Sequence, residues 1–224
     1  QRRTPSSSTT LANASLNADE KFAMQSVYKL PIAMAVMKQV DAGKFKADQE
    51  IEIKKEDFVE KGQASLLRDN FPDGTKIPLW RVIEYAISQS DGTASDVLMN
   101  LAGGAGEVQK YIDELGIKDM AVKSTEKELA KDPKVQYENF ATPNAAVGLL
   151  TELKSGNSLE RERRKLIMDF MNESVPGQDR LRGLLPDSAY VAHKTGTSGT
   201  RGGVTAATND IGIIQLPNGN YALI

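Results

Sequence analysis

The stretch FAMQSVYKLPIAMAVM, residues Phe22 to Met37, places Ser26 and Lys29 three positions apart at the head of a long apolar run. Apolar residues continue at helical spacing, and Gly43 suits a helix C-terminus, so we predict a buried helix from Ser26 to about Ala42. Side chains three positions apart share one helix face. Two interpretations follow: Lys29 activates the Ser26 hydroxyl, or Ser26 caps the helix while Lys29 extends to solvent. This pattern alone does not choose between them.

Charge and composition exclude several function classes. Lys and Arg total 28 and Asp and Glu total 30, a formal net charge of −2, so no basic field attracts nucleic acid. The one basic cluster, RERRK at Arg161 to Lys165, precedes apolar residues at helical spacing, which favours a solvated helix face. From both observations we expect no nucleic-acid partner. No apolar run reaches 18 residues, so we also expect no membrane span.

The residue types needed for thiol or zinc chemistry are scarce. The chain has no cysteine and one histidine, His193. Tetrahedral zinc sites need several nitrogen or sulfur ligands. We therefore expect no zinc site. Composition leaves carboxylate-bound calcium or magnesium open, but no EF-hand-like spacing appears, so we predict no metal site and no cofactor.

The order of the predicted elements indicates the fold class. Helical patterns dominate the middle of the chain, and short alternating strands follow Leu181. This order predicts an α+β fold, an α/β sandwich in which an antiparallel sheet lobe packs against a mostly helical lobe. The predicted elements are an extended segment at 51–58, a turn at 71–78, helices at 79–88, 93–102, 106–115 and 143–156, an irregular loop at 121–140, and strands at 189–197, 209–217 and 220–224, the last two joined by an Asn-Gly turn.

Two further segments carry candidate chemistry. Ser90-Asp91-Gly92 lies between two predicted helices, where a loop serine could relay a proton, or where Asp91 could simply cap a turn. Lys194-Thr195-Gly196 lies in a predicted strand, where lysine, hydroxyls and glycine suit a carboxylate ligand, or a polar edge strand. His193 could suggest a catalytic triad, but a strand-face residue is the preferred interpretation.

The three segments together have a recognisable order. Ser26-x-x-Lys29, Ser90-Asp91-Gly92 and Lys194-Thr195-Gly196 follow one another as in the penicillin-recognising serine enzymes. From about Leu16 to Ile224 the chain resembles the class A serine β-lactamases. The segments MQSVYKLPIAMAVM, SDGTASD and HKTGTSGT…TAATNDIGI are similar to the extended-spectrum branch that includes the PER and VEB enzymes.

The resemblance implies a serine β-lactamase/DD-peptidase-like fold and a set of roles. Ser26 would be the nucleophile and Lys29 its proton partner. Ser90 would pass a proton to the lactam nitrogen, and Glu126, on an omega loop at about 121–142, would activate the water that releases the acyl group. Glu128 and Glu138 compete with Glu126 by residue type only. The substrate-binding residues would be Gly92, Lys194, Thr195, Gly196, Thr197 and Ser198, with the backbone N–H groups of Ser26 and Thr197 as the oxyanion hole and Arg182 or Arg201 as a further cation.

The chain departs from the family pattern at several positions. Gly92 stands where the family usually has an asparagine that contacts the substrate. Ala130 stands where many members have an asparagine that helps to hold the hydrolytic water. Asn139 stands near an Asp that closes the omega loop through an ion pair, and Ser124 offers no Arg partner, so we expect other contacts there.

The resemblance also implies a division into lobes. We expect residues 1–25 and 181–224 to form the sheet lobe, without the first strand and terminal helices of the family. Residues 26–180 would form the helical lobe, and the two would make one functional unit. A chain lacking those elements would expose a sheet face, so we expect low stability.

The function implied is hydrolysis of β-lactam antibiotics, penicillins and also cephalosporins, by a monomer in the periplasm or outside the cell. The alternative is a penicillin-binding DD-peptidase or β-lactam sensor that acylates and deacylates slowly. A non-catalytic helical interaction module is a third, weaker hypothesis.

Overall fold

The computed structural model describes residues 12–132 and 134–224. Helices account for about half of the described chain before Asn172, and the longest strands follow it. The helices in these residues are Lys29–Asp41 (α1), Leu66–Asn70 (α2), Leu79–Ser88 (α3), Gly92–Ala102 (α4), Ala105–Glu114 (α5), Glu126–Lys131 (α6), Pro143–Ser155 (α7) and Arg161–Asn172 (α8). None of the helices in the described parts of the chain has the length and apolar character needed to cross a membrane.

Helix α1 forms the centre of the helical core. Ten of its thirteen residues are buried, and it packs against α3, α4, α5 and α8. A helix that is apolar on most faces is stable only when its neighbours surround it. The α-helix begins at Lys29, later than predicted, because Gln25–Tyr28 forms a tighter 3-10 turn. Pro31 lies in the first turn, where a missing N–H removes no intrahelical bond.

The main sheet has three strands among the described residues. Thr208–Gln215 (β9) lies between Val191–Thr197 (β6) and Tyr221–Leu223 (β10), and both pairings are antiparallel. Helix α8 packs on β6, and α7 packs on β9 and β10. Gly219, in the predicted Asn-Gly turn, has φ +83°. The predicted α+β class, with a sheet packed against helices, is confirmed.

Two short sheets and one hairpin complete the described strands. Phe22–Ala23 (β1) and Met120–Ala121 (β4) flank Phe140–Ala141 (β5), Glu50–Ile53 (β2) pairs with Thr75–Pro78 (β3), and Thr200–Arg201 (β7) pairs with Val204–Thr205 (β8). The prediction of a turn through 71–78 is therefore wrong in its second half. The strand character of β3 comes from pairing with β2, which local turn residues do not reveal.

The segment predicted to be irregular, 121–140, contains regular structure. Helix α6 begins after Thr125, whose hydroxyl accepts the Glu128 N–H while the Glu128 carboxylate accepts the Thr125 N–H. A threonine followed three positions later by a glutamate is a helix-start signal. Val135–Tyr137 adds a 3-10 turn.

The division into a sheet lobe and a helical lobe remains a proposal. Strand β1, within the stretch assigned to the sheet lobe, pairs with β5 and not with β9. Residues 1–11 of that stretch lie outside the described residues.

Asp91 joins two parts of the helical core. Its carboxylate accepts the N–H of Ala94 at 2.9 Å, which caps α4, the N–H of Leu67 at 2.7 Å and the hydroxyl of Ser65 at 3.0 Å. Asp91 is fully buried. The sequence-based interpretation of Asp91 as a cap is therefore confirmed.

Replacing Asp91 with Ala should destabilise the protein. We expect the free energy of unfolding to fall by about 3 kcal/mol, because three buried donors lose their acceptor. Urea denaturation followed by circular dichroism measures the change. The matched control is Asp113→Ala on the exposed face of α5, where we expect a change below about 0.5 kcal/mol. Equal denaturation midpoints for the two variants would contradict this assignment.

Candidate active site

Ser26 lies in the 3-10 turn that precedes α1. Its Oγ accepts a hydrogen bond from Lys29 Nζ at 2.7 Å. No side-chain cap bond is made at the start of this turn or of α1, so the interpretation of Ser26 as a helix cap is wrong. The preceding residue, Gln25, has φ +47°, a conformation that costs a non-glycine residue free energy. Gln25 Nε2 donates to Gln136 Oε1 at 2.9 Å, a tertiary contact that helps to hold this conformation beside the Ser26 hydroxyl.

Lys29 is 1% exposed and makes two polar contacts. Nζ donates to Ser26 Oγ and forms an ion pair with Glu126 Oε1. A buried ammonium needs a charged partner, because its desolvation costs several kcal/mol by general estimate. Lys29 therefore does not extend to solvent, and its Nζ lies between the Ser26 hydroxyl and the Glu126 carboxylate.

Glu126 is the first residue of α6. The Tyr28 hydroxyl donates to its Oε1 at 3.1 Å. Burial alone would raise the pKa of Glu126, but the charge and hydrogen bond of Lys29, helped by Tyr28, hold this pKa below its ordinary value. Glu126 is therefore ionised at neutral pH. The two competing residues, Glu128 and Glu138, are exposed and do not line the cavity that contains Ser26, Lys29 and Glu126.

The backbone at Glu126 is fixed by Asp96 of α4. Asp96 accepts the N–H of Glu126 at 2.7 Å and the N–H of Lys127 at 3.1 Å. Burial raises the pKa of Asp96 to about 6, against the lowering effect of these two donors. The sequence analysis missed Asp96. The available signal was that Asp96 is the one charged residue of α4.

Ser90 and Lys194 meet on the other side of the site. Lys194 Nζ donates to Ser90 Oγ at 2.9 Å and to the Thr195 carbonyl at 3.2 Å. Burial, and then the charge of Lys29, hold the pKa of Lys194 well below its ordinary value. Ser90 has φ +56°, a second strained non-glycine residue at the site.

His193 takes no part in this arrangement. It is fully buried, and Nδ1 contacts Asp210 Oδ2 at 2.9 Å. Side chains alternate along β6, so His193 and Lys194 point to opposite faces. The interpretation as a strand-face residue is confirmed, and no triad with Ser26 is formed.

The end of β6 forms the wall facing Ser26. Thr197 and Ser198 line the same cavity as Ser26, Ser90 and Glu126. Gly196 lies behind that wall: a Cβ atom there would be 2.2 Å from the Met24 carbonyl oxygen. Only glycine lets β6 pass this close to the turn that carries Ser26.

The remaining predicted binding residues are not cavity-lining. Thr195 is buried beside Gly177. Gly92 is buried under the Ala64 carbonyl, and a Cβ there would be 3.2 Å from that oxygen and 3.4 Å from Glu126 Cγ. The space at position 92 is thus filled by neighbouring chain.

An arginine near the cavity differs from both candidates named from the sequence. Arg180 Nη2 donates to Thr197 Oγ1 at 2.7 Å, and Nη1 donates to the Asn209 carbonyl at 2.6 Å. Arg182 instead donates to the Asn172 side chain at 3.0 Å. Arg201 lines the cavity from β7. Arg180 was missed because only the tertiary fold brings residue 180 to the end of β6.

The omega loop is closed by amide groups. Asn139 Oδ1 accepts the N–H groups of Lys123 and Ser124 at 2.7 and 3.0 Å, and its Nδ2 donates to the Ser124 carbonyl at 2.8 Å. Gln136 accepts from Gln25 Nε2 at 2.9 Å, which ties the loop to the residue before Ser26. The expectation of contacts other than an ion pair is met.

Comparisons with known proteins agree on one family. The model of the beta-lactamase enzyme family matches residues 6–224. The beta-lactamase VEB-1 of Pseudomonas aeruginosa is 40% identical over 211 residues, 93% of this chain and 70% of that protein. The extended-spectrum beta-lactamase PER-1 of the same organism is 39% identical over 209 residues, 93% of this chain and 68% of that protein. A solved beta-lactamase from Chitinophaga pinensis DSM 2588 superposes with a TM-score of 0.91 at 44% identity, covering 93% of this chain and 77% of that one.

The fold, the site and these comparisons therefore define the class of protein: a class A β-lactamase with an omega loop. The chain belongs to the beta-lactamase enzyme family. It is a hydrolase that acts on β-lactams, and the resemblance stated from the motifs is confirmed.

The contact between Tyr28 and Glu126 gives a pH-dependent prediction. Tyr28→Phe removes a donor that lowers the pKa of Glu126, so this pKa rises. The role that the resemblance implies for Glu126 requires its ionised form, which is lost as pH falls through that pKa, so the acidic limb of hydrolysis should move to higher pH. We expect kcat on that limb to fall about fivefold, the worth of one hydrogen bond, with little change at pH 8.

The pH profile of kcat measures this effect. Tyr111→Phe is the matched control, because its buried hydroxyl contacts Ser158 at 3.4 Å, away from Glu126. An acidic limb that is the same in both variants would contradict the assignment.

Proposed function

We propose that hydrolysis proceeds through a covalent acyl-enzyme on Ser26. The observation that carries the proposal is Lys29 Nζ, buried between Ser26 Oγ at 2.7 Å and the Glu126 carboxylate. A hydroxyl becomes an effective nucleophile when an adjacent group accepts its proton. Lys29, or Glu126 through a water molecule, would accept it, and the contacts are compatible with either route.

Acylation would open the lactam ring. Ser26 Oγ forms a bond to the carbonyl carbon, and the backbone N–H groups of Ser26 and Thr197 stabilise the oxyanion. The carbon–nitrogen bond then breaks, and the nitrogen takes a proton from Ser90 Oγ. Lys194, 2.9 Å from that oxygen, stabilises the negative charge that develops on it. The proton first removed from Ser26 returns to Ser90 through the same polar cluster.

Deacylation would use Glu126 as the general base. Its lowered pKa keeps the carboxylate ionised at neutral pH, ready to take a proton from water. The hydroxide adds to the ester carbonyl, the bond to Ser26 breaks, and Ser26 recovers its proton. The product is the ring-opened acid.

Substrate binding would rely on the end of β6. The carboxylate that β-lactams carry beside the ring would bind at Thr197, whose Oγ1 lies 2.7 Å from Arg180 Nη2. The charge of Lys194 would also attract this carboxylate. Thr195, Gly196 and Gly92 would act through backbone position, because their side-chain positions are buried or filled. Ser198 lines the cavity next to Thr197 and would contact the acyl side chain.

Penicillins and cephalosporins are the proposed substrates. The relatives named above include an enzyme described as extended-spectrum, which supports a broad range. We also propose that the enzyme acts as a monomer, in the periplasm or after secretion, in line with the family resemblance. A penicillin-binding DD-peptidase or sensor is the alternative, and the matched family and its named relatives do not favour it.

Mass spectrometry and stopped-flow kinetics with benzylpenicillin test the proposal. The unmodified protein should show an adduct on Ser26 that disappears as substrate is consumed. Glu126→Gln should acylate and then release product at least 100-fold more slowly, the scale of a lost general base. Glu128→Gln, two positions away on α6, is the control and should turn over as the unmodified protein does. A persistent adduct in the unmodified protein would favour the alternative, and no adduct would contradict both.

A further inference from the structure

Residues 59–65 lie against the start of α4, next to Glu126. Gly92 N–H donates to the Ala64 carbonyl at 2.9 Å, and the hydroxyl oxygens of Ser65 and Thr93 are in contact at 2.8 Å. Arg68 Nη1 donates to the carbonyls of Glu60 at 2.8 Å and Gln63 at 3.2 Å. These bonds fix the backbone of the segment. A side chain at position 92 would meet Ala64 O at 3.2 Å, so glycine there permits the close approach.

This approach places the amide of Gln63 beside Glu126. Gln63 Nε2 donates to the Glu126 carbonyl at 2.7 Å and makes a longer contact of 3.4 Å to Oε2. The amide cannot be reversed, because Gln63 Oε1 would then face the carbonyl oxygen. The orientation of the side chain is thus set by the backbone of Glu126.

The two oxygens of Glu126 have different partners. Oε1 is held by Lys29 and by Tyr28. Among the described residues, Oε2 has Gln63 as its one side-chain donor. Since Oε1 already contacts two donors, Oε2 is the oxygen free to accept a proton from water. The contact that orients this oxygen is therefore the contact with Gln63.

Gln63 also lines the cavity that contains Ser26 and Glu126. Its Oε1 is buried without a hydrogen-bond partner in the described parts of the chain. Buried polar atoms are seldom left unpaired, and exceptions concentrate where strain or function requires them. Position 92 has no side chain, and the side chain of Ala130 on the cavity wall has no polar group. Neither residue can therefore donate a side-chain amide N–H to Glu126.

We propose that Gln63 is a positioning residue for the general base. It holds the backbone and Oε2 of Glu126 so that Oε2 points at the water that releases the acyl group. The inference rests on the proposed function with Lys29 as the acylation base, and on that route it assigns Gln63 to the deacylation step alone. Acylation of Ser26 would be affected little.

The first test separates the two steps in Gln63→Leu. Stopped-flow acylation and deacylation rates with benzylpenicillin, and intact mass during turnover, are measured on the full chain. We expect deacylation to slow about tenfold or more through misplacement of Glu126, with acylation within about threefold of the unmodified rate, so that the adduct accumulates. Equal slowing of both steps, or of neither, would overturn the proposal.

A matched control exists on α1. Gln39 Nε2 donates to the Ala102 carbonyl at 2.7 Å, and its Oε1 is likewise buried without a partner. Gln39→Leu makes the same chemical change away from the site. It should lower the melting temperature and leave the ratio of the two rates unchanged.

A second variant guards against a folding defect in the first. Gln63→Glu keeps the size of the side chain and places a carboxylate against Glu126, which raises the pKa of Glu126 by like-charge repulsion. The acidic limb of the pH profile for deacylation should move to higher pH. An unmoved limb in folded protein would overturn the proposal. If the unmodified protein forms no transient adduct, the proposed function is wrong. If the unmodified protein turns over and both Gln63 variants behave as it does, only this inference is wrong.

Discussion

The ion pair between Lys29 and Glu126 is the interaction on which the rest of the site depends. Lys29 is almost fully buried, and an unpaired ammonium at that depth would cost several kcal/mol by general estimate. The apolar helix α1 can therefore carry a lysine at its first position only if the omega loop brings a carboxylate to it. In turn, the charge of Lys29 keeps Glu126 ionised against the effect of burial. The same contact serves the fold and the site, because α1 is both the central helix of the core and the helix that carries Lys29.

The omega loop is held in place by neutral amides and one buried carboxylate. Asn139 closes its ends through backbone contacts. Asp96 accepts two backbone N–H groups at the start of α6, and Gln25 is linked to Gln136. Each bond is modest by itself, about 1 kcal/mol by general estimate. Their geometry matters more than their sum, since all of them fix the position of Glu126 relative to Ser26.

The sequence was sufficient for the longer helices, though not for α2 and α6, and for the residues that lie within the three motifs. Apolar periodicity identified α3 and α7, and the order of the motifs brought Ser26, Ser90 and Lys194 together correctly. Glu126 needed the family resemblance, because a glutamate in a polar segment has no distinguishing local pattern. Helix α6 could have been found from Thr125 and Glu128. Asp96 had one local signal, its charge within α4, but its partners could not be found from the sequence. The same holds for Gln63 and Arg180, since these contacts join segments about 17 to 63 residues apart.

The central claim is that Ser26, placed by Lys29 and Glu126, forms the covalent bond to the substrate. A crystal structure of the Glu126→Gln variant after exposure to benzylpenicillin tests it most directly. We predict continuous density from Ser26 Oγ to the carbonyl carbon of the opened ring, with the substrate carboxylate beside Thr197 and Lys194. An unmodified Ser26, or an adduct on another residue such as Ser90, would contradict the account.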